Sequence, residues 1–452
     1  FNTGEQVVPG DTDTKQDIYI RNIQAGTTTL ATPSITDDVG DVDISADGNY
    51  IAFATDQSLY PGDLNGAYDV YRMKLSDGTS SIVSAVSGST TAANDDSQEP
   101  SISGDGKWVT FSSRSTNLVP GFTENNSSYD SDVFLRNVDA NSTSLVSAKY
   151  NSATASGDDA AEEPQIAGTP DTLGQVQVVY TGYSDNLADN GVTDGSSDAS
   201  VYLRSMAATP SELISRATGP AGVNADSRAH TPSISDDGSR IIFSSDATNL
   251  GPAPDYYGVY LRDRASSTTS LVSARNSYAV EGLISGDGNV TSWFENGGAT
   301  ADSDSSLGSI FSRKLPSGTI RLVSRPKGTK LVRAPGFQTY DNGDRTLSAT
   351  GRYFVFVTSS PRLPGYSADH PDTPLAYRRD LKTGEVVLVS RKGGPNGAPA
   401  EAATSATVSS DGNVVAFRAE GQLLPADTND KSDVYVRNIK TGTTVLASRA
   451  DG

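Results

Sequence analysis

A unit of about 40 to 60 residues recurs along almost the whole chain, and it constrains the fold more than any other feature. Each copy carries small polar residues, an Asp-Gly pair, an apolar run ending in Phe, a loop rich in Pro, Asp and Asn, a Val-Tyr-x-Arg run and a closing Leu-Val-Ser. The clearest copies span residues 232–273 and 405–448. Because one such unit cannot bury its own apolar faces, the copies must pack on one another in a solenoid, an array or a propeller.

The apolar runs within a unit have the character of β-strands. Residues 241–243, 259–261 and 270–272 are short, rich in β-branched and aromatic residues, and bounded by Gly, Asp, Asn and Pro. Four such strands per unit are typical of a propeller blade. Asp-Gly provides the positive φ angles of a two-residue hairpin turn, so we expect it to join the first and second strands.

Counting the units predicts an all-β chain that forms a single β-propeller of four-stranded blades over residues 1–452. The Asp-Gly turns begin at Asp47, Asp105, Asp237, Asp287 and Asp411. Two degenerate copies fill the wide gaps, which gives seven complete repeats. We place the complete blades at residues 41–85, 99–148, 163–217, 231–274, 281–325, 345–391 and 403–449.

Residues 1–34 form a half blade that carries the later part of the pattern. Residues 17–21 match residues 433–437, and Phe1 aligns with Phe417, at the end of the second strand. If residues beyond either end of the chain complete this half blade, the ring has eight blades. If it is an outlying hairpin, the ring has seven. We favour eight because the half unit matches its complete siblings so closely.

Residues 233–245, Ser-Ile-Ser-Asp-Asp-Gly-Ser-Arg-Ile-Ile-Phe-Ser-Ser, resemble the PD40 motif, the WD40-like repeat of TolB-type β-propellers. The similarity covers nearly the whole chain and is best at residues 41–150, 225–276 and 400–450. It departs from the pattern at residues 164–182, where the turn is enlarged, and at 328–347. The resemblance implies a propeller and specifies little about activity.

The charge and composition exclude several partners and suggest a location. A net charge of −20 and a pI near 4.5 argue against nucleic acid and anionic membrane surfaces, which require Lys and Arg. The sequence contains no transmembrane segment. The absence of Cys excludes disulfides and thiolate metal sites. With abundant Ser, Thr, Asp and Gly, it suggests an exported bacterial protein that is extracellular, at the cell surface or periplasmic.

The loop between the second and third strands is the best candidate for chemistry. Its pattern D-x-[DN]-x-x-x-D gathers oxygen ligands of the kind that Ca²⁺ prefers, and calcium is the one cofactor that the sequence indicates. The alternative is that these residues form Asx turns that lead into the strand. The candidate metal ligands are Asp11, Asp13 and Asp17, Asp63, Asn65 and Asp69, and Asp427, Asn429 and Asp433.

The third strand repeats an aromatic residue followed two positions later by Arg, as in Tyr435 and Arg437. Spacing of two places both side chains on one face of the strand. A ring of arginines could bind anions, but a position kept in nearly every blade favours structure, with each Arg paired to an Asp of its own or a neighbouring blade. Function is expected where the repeat is broken, at residues 121–131, 185–200 and the basic stretch 326–342.

Two functions remain open, and they differ in whether the protein is an enzyme. The first is a noncatalytic recognition or scaffold propeller that binds a protein or carbohydrate partner. The second is a carbohydrate-active enzyme, a polysaccharide lyase or glycoside hydrolase. The two histidines, His230 and His370, fall in different repeats, and no Gly-x-Ser-x-Gly elbow occurs. We assign no catalytic and no cofactor-binding residues, and we favour the binding function.

Overall fold

The computed structural model of the chain describes all residues except 13, 33–38, 189–197, 209, 297–308, 325–346, 359–362, 366–372, 395, 430 and 452. The described residues form eight antiparallel sheets, the blades of an eight-bladed β-propeller. The preference for eight blades over seven is therefore confirmed. The 3-10 turn Leu173–Gln175 is the only helix in this part of the chain, and no helix in it is long and apolar enough to cross a membrane.

Each blade is a meander in which consecutive strands are neighbours. The strands of blades 1 to 4 are Asn2–Thr3, Asp17–Asn22 and Thr27–Leu30; Val39–Ile44, Tyr50–Thr55, Asp69–Lys74 and Ser80–Ile82; Ser97–Ile102, Trp108–Ser113, Asp132–Asn137 and Ser142–Leu145; and Ala161–Ile166, Gln177–Gly182, Ser200–Ser205 and Glu212–Leu213. Those of blades 5 to 8 are Ala229–Ile234, Arg240–Ser245, Gly258–Asp263 and Thr268–Leu271; Tyr278–Ile284, Val290–Asn296, Ser309–Lys314 and Arg321–Leu322; Tyr353–Thr358, Leu375–Asp380 and Val386–Leu388; and Ala402–Val408, Val414–Glu420, Asp433–Asn438 and Thr443–Leu446.

Blade 1 has the strands of the predicted half repeat. Its three described strands correspond to the second, third and fourth strands of the other blades. Thr3 pairs with Asp17 in the register in which Ala419 pairs with Asp433. Phe1 stacks on Tyr19 with ring centroids 5.3 Å apart. The N-terminal residues therefore provide the end of a second strand, as the alignment of Phe1 with Phe417 predicts.

A stacked aromatic pair joins the second and third strands in every blade. Its members are directly opposite in the strand register, and the ring centroids are 5.3 to 6.2 Å apart. Such pairs add to the hydrophobic gain of burial and fix the register of the two strands. The pairs are Phe1–Tyr19, Phe53–Tyr71, Phe111–Phe134, Tyr180–Tyr202, Phe243–Tyr260, Trp293–Phe311, Phe356–Tyr377 and Phe417–Tyr435.

The Asp-Gly turns join the first and second strands as expected, but they are not two-residue hairpins. In blade 2 the amide of Ser45 donates to the carbonyl of Tyr50, so four residues lie between the closing pair. Gly48 takes a φ of +70°, whereas Asp47 is not left-handed. The Asp47 carboxylate instead accepts the Ser45 hydroxyl at 2.6 Å and the Asn49 amide at 2.9 Å. This Asp is a turn cap, which agrees with its structural assignment.

The arginine of the third strand links its blade to the preceding one. Arg136 in blade 3 is 1% exposed and donates from Nη1 to the Thr143 hydroxyl at 2.8 Å and from Nη2 to the carbonyl of Ser89 in blade 2 at 3.0 Å. The Thr143 hydroxyl donates to the carbonyl of Ala85 at 2.6 Å. We call this arrangement the Arg–Thr clamp. Its structural role is as predicted, but the partners are backbone carbonyls rather than the expected Asp carboxylates.

The clamp recurs at other seams and closes the ring. Its equivalents are Arg262 with Thr269, Arg437 with Thr444, and Arg21 with Thr28, and their acceptors are carbonyls of the preceding blade. For Arg21 the preceding blade is blade 8. The first and last blades therefore meet through the same contact as neighbours within the chain.

Candidate cation sites and an acidic cleft

The candidate loops and the segments that lead into the first strands lie at one end of the blades. Strand direction alternates in an antiparallel meander, so the connection from the second to the third strand returns to the end where the first strand begins. The Asp-Gly turns lie at the other end. The candidate loops and the starts of the first strands therefore share one face of the propeller, which surrounds one mouth of its central channel.

In blade 2 the predicted ligands Asp63, Asn65 and Asp69 come together. The Tyr71 hydroxyl donates to Asp63 Oδ2 at 2.5 Å, and the Ser84 hydroxyl donates to Asp69 Oδ1. Asn65 Nδ2 donates to Asp69 Oδ2 at 2.9 Å. Asp63 and Asp69 are 2% and 0% exposed. Burial, with a further contribution from the nearby Asp63 carboxyl, raises the pKa of Asp69 to about 7.

Blade 8 repeats this constellation with one difference. Tyr435 donates to Asp427 Oδ2 at 2.5 Å, and Ser448 donates to Asp433 Oδ1 at 2.5 Å. The backbone amide of Lys431 donates to Asn429 Oδ1 at 2.9 Å, and the backbone amide of Asn429 donates to Asp427 Oδ1 at 3.4 Å. Asp433 Oδ2 is buried and has no hydrogen-bond partner among the described residues. Burial, and after it the charge of Asp427, raises the pKa of Asp433.

Blade 1 has the same two carboxylates. The Tyr19 hydroxyl donates to Asp11 Oδ2, and the Thr32 hydroxyl donates to Asp17 Oδ1 at 2.7 Å. Asp11 and Asp17 are 6% and 2% exposed. The third candidate of this loop, Asp13, lies outside the described residues. The sequence pattern therefore identifies pairs of buried carboxylates in three blades that are consecutive around the ring.

Blade 3 has a related group that the sequence pattern did not identify. Asp132 is 2% exposed, Ser147 donates to its Oδ1 at 2.6 Å, and burial raises its pKa to about 7. Asn126 Nδ2 approaches Asp132 Oδ2 at 3.4 Å, while Asn126 Oδ1 and Glu124 Oε1 are buried without hydrogen-bond partners among the described residues. The longer loop and the Glu depart from the D-x-[DN]-x-x-x-D pattern, although the Asp that begins the third strand and the Ser 15 residues later could have revealed this group.

The buried Asp is confined to blades 8, 1, 2 and 3. Strand register places it opposite one of the last two residues of the second strand, as for Asp69 opposite Thr55 and Asp433 opposite Ala419. The equivalent residues of blades 4 to 7 are Ser200, Gly258, Ser309 and Leu375. One half of this face of the propeller therefore carries buried carboxylates at positions where the other half carries neutral residues.

These oxygen groups can hold a hard cation or share a proton. In the described part of the chain, no three His, Cys, Asp or Glu side chains are arranged so that they could hold a metal ion. The constellations of blades 2 and 8 instead combine two carboxylates with an Asn side chain. Ca²⁺ takes six to eight oxygen ligands and accepts such mixtures. The Asx-turn hydrogen bonds are present as well, so a calcium site remains a prediction.

An acidic cleft of about 420 Å³ lies on the same face, at the seam between blades 3 and 4. Five carboxylates and one guanidinium line it, together with Tyr129 and Tyr183. The carboxylates belong to Asp96, Glu99, Asp130, Asp159 and Glu162, and the guanidinium to Arg114. Arg114 is already paired with Asp96 at 3.5 Å. The cleft is therefore strongly electronegative.

The cleft wall includes a strained backbone position that recurs in the first strands. Glu99, Glu163, Thr231 and Glu281 have φ angles of 50° to 56°, each at a β-bulge of the first strand. Glu99 accepts the amide of Glu163 at 3.0 Å, and Glu163 accepts the amide of Thr231 at 2.9 Å. The Glu99 and Glu163 carboxylates thus stabilise, in the next blade, a backbone conformation that non-glycine residues seldom adopt. The same hydrogen bonds link neighbouring first strands around the channel.

Two cleft carboxylates have defined environments. The Ser112 hydroxyl donates to Glu99 Oε2 at 3.0 Å, and the Tyr183 hydroxyl donates to Glu162 Oε1 at 2.6 Å. Burial raises the pKa of Glu99. Neither was singled out from the sequence, because a bulge does not show in the residue pattern and carboxylates are abundant.

The remaining sequence candidates contribute no chemistry that the structure describes. His230 lies on the first strand of blade 5, its ring contacts Tyr257 edge-on, and burial lowers its pKa. His370 and the basic stretch 326–342 lie outside the described residues.

Comparison with known proteins identifies the fold and no family. No protein-family model and no curated protein matches the chain. Among solved structures, one from a study of two prolyl endopeptidases aligns with a TM-score of 0.50 and 12% identity over 90% of this chain. The chain spans about half of that protein, 49% of its length.

Two further structures cover most of both chains. TolB from Agrobacterium tumefaciens aligns with a TM-score of 0.36 and 14% identity over 93% of this chain and 97% of its own. Oligogalacturonate lyase from Vibrio parahaemolyticus gives 0.47 and 11% over 96% and 94%. At such identities the likeness concerns the propeller fold alone, and these proteins differ in function from one another.

Proposed function

We propose that the protein is a noncatalytic recognition propeller of the PD40-repeat, TolB-like type, exported from the cell, which binds a protein partner through the acidic cleft between blades 3 and 4. The observation that carries this proposal is the charge of the cleft, which has five carboxylates against one paired Arg. The recurring Arg, Tyr and turn Asp residues are engaged in contacts within and between blades. The cleft is where the repeat departs from its own pattern.

The lining favours a partner segment that presents Lys or Arg. Desolvating several carboxylates is unfavourable unless cations replace the lost water. A guanidinium can donate two parallel hydrogen bonds to one carboxylate, which gives both affinity and orientation. The rim residue Tyr129 is 82% exposed and offers an aromatic face to such a cation. A neutral glycan would gain from the hydroxyl and carboxylate acceptors but not from the charge.

The experiment is parallel screening of the intact chain on a peptide array graded in charge and on a glycan array, with mass analysis of every retained ligand. We expect retention of Lys- and Arg-containing peptides, loss of that retention in Glu162→Gln, and unchanged ligand masses. The control variant is Glu385→Gln, because Glu385 is an exposed carboxylate in a turn of blade 7. Retention of glycans alone, or of peptides regardless of charge, would contradict the proposal.

A second candidate, a carbohydrate-active enzyme, has one observation in its favour. Glu99, with a raised pKa, and Glu162 line the same cleft. A protonated and an ionised carboxyl are the groups that glycoside hydrolysis uses as acid and base. Shortened oligosaccharide products that disappear in Glu99→Gln would establish this function in place of the first.

A further inference from the structure

The two carboxylates of the blade 8 loop lie close together in the protein interior, and no cationic side chain of the described residues pairs with them. Asp427 and Asp433 are 3% and 5% exposed. Each has one oxygen held by a hydroxyl, from Tyr435 and Ser448 respectively. Asp433 Oδ2 has no partner among the described residues. Burying two like charges together is unfavourable unless a proton or a cation is shared between them.

The described residues provide no cation that pairs with either carboxylate. Glu5 is a further carboxylate whose charge acts on Asp433. It pairs with Lys431 at 3.2 Å. Asp427 and Asp433 together carry a formal charge of −2 when both are ionised. A divalent cation would balance that charge and satisfy the orphaned oxygen at the same time.

Blade 2 shows how the same loop is satisfied from within. There Asn65 Nδ2 donates to Asp69 Oδ2 at 2.9 Å and to the carbonyl of Ala93 at 2.8 Å. The amide occupies the position in which a cation would bridge these oxygens. In blade 8 no such bond joins Asn429 to Asp433, and Asp433 Oδ2, the equivalent of the oxygen that Asn65 satisfies in blade 2, has no hydrogen-bond partner among the described residues. The blade 8 loop is thus the better candidate for an external ligand.

We propose that Asp427, Asn429 and Asp433 bind one divalent cation, Ca²⁺ in preference to Mg²⁺. All the available ligands are hard oxygen donors on a short loop. The Asn429 side-chain oxygen accepts one loop amide and keeps a second lone pair for the metal. Tyr435 and Ser448 fix the orientation of the two carboxylates. Ca²⁺ accepts this irregular set, whereas Mg²⁺ requires a near-octahedral site and releases its water reluctantly.

Oxygen ligands bind a metal ion as ionised carboxylates, so a bound Ca²⁺ would balance the two charges directly. Glu5 belongs to the segment before the first long strand of blade 1, and Lys431 belongs to the blade 8 loop, so the site adjoins the seam at which the ring closes.

The test is isothermal titration of the intact chain, freed of metal by chelation, with CaCl₂ and separately with MgCl₂. We expect saturable Ca²⁺ binding in the wild type, with one equivalent lost or its affinity lowered at least about tenfold in Asp433→Asn. The matched control is Asp69→Asn, the equivalent change in blade 2, which should leave that equivalent intact. Asp427→Asn is the second test variant should Asp433→Asn fail to fold.

Two results would overturn the proposal. One is the absence of Ca²⁺ binding in the wild type, which would mean that a shared proton or the Asx turns alone satisfy the loop. The other is the same affinity and number of equivalents in the wild type, Asp433→Asn and Asp427→Asn. Neither result bears on the acidic cleft, because the cleft variants change carboxylates of blades 3 and 4.

Discussion

Arg21 and Ala450 meet although 429 positions separate them, with Arg21 Nη1 at 3.1 Å from the Ala450 carbonyl oxygen. Thr28 reinforces the contact, since its hydroxyl donates to the carbonyl of Arg449. This is the Arg–Thr clamp found between blades 2 and 3, 4 and 5, and 7 and 8. The ring is therefore closed by the same hydrogen bonds that join consecutive repeats, which explains why the half repeat retains both residues.

The clamp threonine should contribute more to stability than its neighbour in the same strand. In blade 8 the Thr444 hydroxyl accepts from Arg437 at 2.7 Å and donates to the Arg391 carbonyl at 2.7 Å. Thr444→Val keeps the β-branched shape but leaves both partners unsatisfied, so we expect a loss of about 1 to 2 kcal/mol in the free energy of unfolding. Thr443→Val, on the exposed face, should change it by less than about 0.5 kcal/mol. Urea denaturation measures both, and equal effects would contradict the clamp.

Ring closure should be visible as local exchange. Thr28→Val removes the hydroxyl that reaches Arg449, whereas Thr29→Val changes an exposed neighbour in the same strand. We expect Thr28→Val to accelerate amide hydrogen exchange in the last strand of blade 1, Thr27–Leu30, and in residues 443–451. Thr29→Val should leave the exchange of both segments unchanged. Mass-spectrometric exchange on intact protein gives the comparison. Unchanged protection of both segments in Thr28→Val would mean that the clamp does not hold the ends.

Glu295 should make stability depend on pH. It is fully buried, Trp293 donates to its Oε2 at 2.8 Å, and burial raises its pKa to about 7. In the unfolded chain this group titrates near pH 4, so the folded state binds the extra proton between about pH 4 and 7. The contribution of Glu295 to the free energy of unfolding is complete below pH 4. It decreases as pH rises to about 7, with a limiting slope of about 1.4 kcal/mol per pH unit.

Glu295→Gln removes this titration because the amide stays neutral. We expect the variant to be more stable than the wild type at pH 8 and to have a flatter stability profile between pH 5 and 7. Thermal unfolding across that range, in the presence of a chelator, measures both. A parallel profile for variant and wild type would show that Glu295 is ionised throughout.

Two turn glycines with the same backbone conformation should differ in their tolerance of Ala. Gly48 and Gly412 have φ angles of +70° and +74°. A Cβ on Gly48 would meet no other atom within 4 Å, whereas one on Gly412 would collide with the Tyr353 ring of blade 7. Both changes cost about 1 kcal/mol of backbone strain, and Gly412→Ala adds about 1 to 3 kcal/mol of overpacking. Equal losses in urea denaturation would contradict this packing between the Asp-Gly turn and the adjacent blade.

The repeat predicts the architecture because it repeats the contacts that build it. Phe417 and Tyr435 are one of eight stacked pairs, and Arg437 one of several clamp residues, so each position is sampled many times along the chain. The choice of eight blades followed from the match between residues 17–21 and 433–437. The carbonyl acceptors of Arg136 could not be predicted, because every residue has a main-chain carbonyl and the sequence does not show which of them Arg136 contacts.

The candidate sites were only partly predictable, because the contacts that define them do not recur in every blade. The spacing of Asp427, Asn429 and Asp433 indicated oxygen ligands, but only the structure shows that Asp433 Oδ2 has no hydrogen-bond partner among the described residues. Glu99 and Glu162 come from different repeats and meet because blades 3 and 4 are adjacent. A single sequence does not show which residues of different repeats lie close together, so it could not predict this cleft.

The most direct test of recognition at the acidic cleft is calorimetric titration of a Lys- and Arg-rich peptide into the wild type and into the Glu99→Gln/Glu162→Gln double variant, at low and at physiological salt. We predict saturable binding that weakens with salt, is reduced at least about tenfold in the double variant and is unaffected in Glu385→Gln. Equal binding by the double variant and the wild type would show that the peptide does not bind at the acidic cleft.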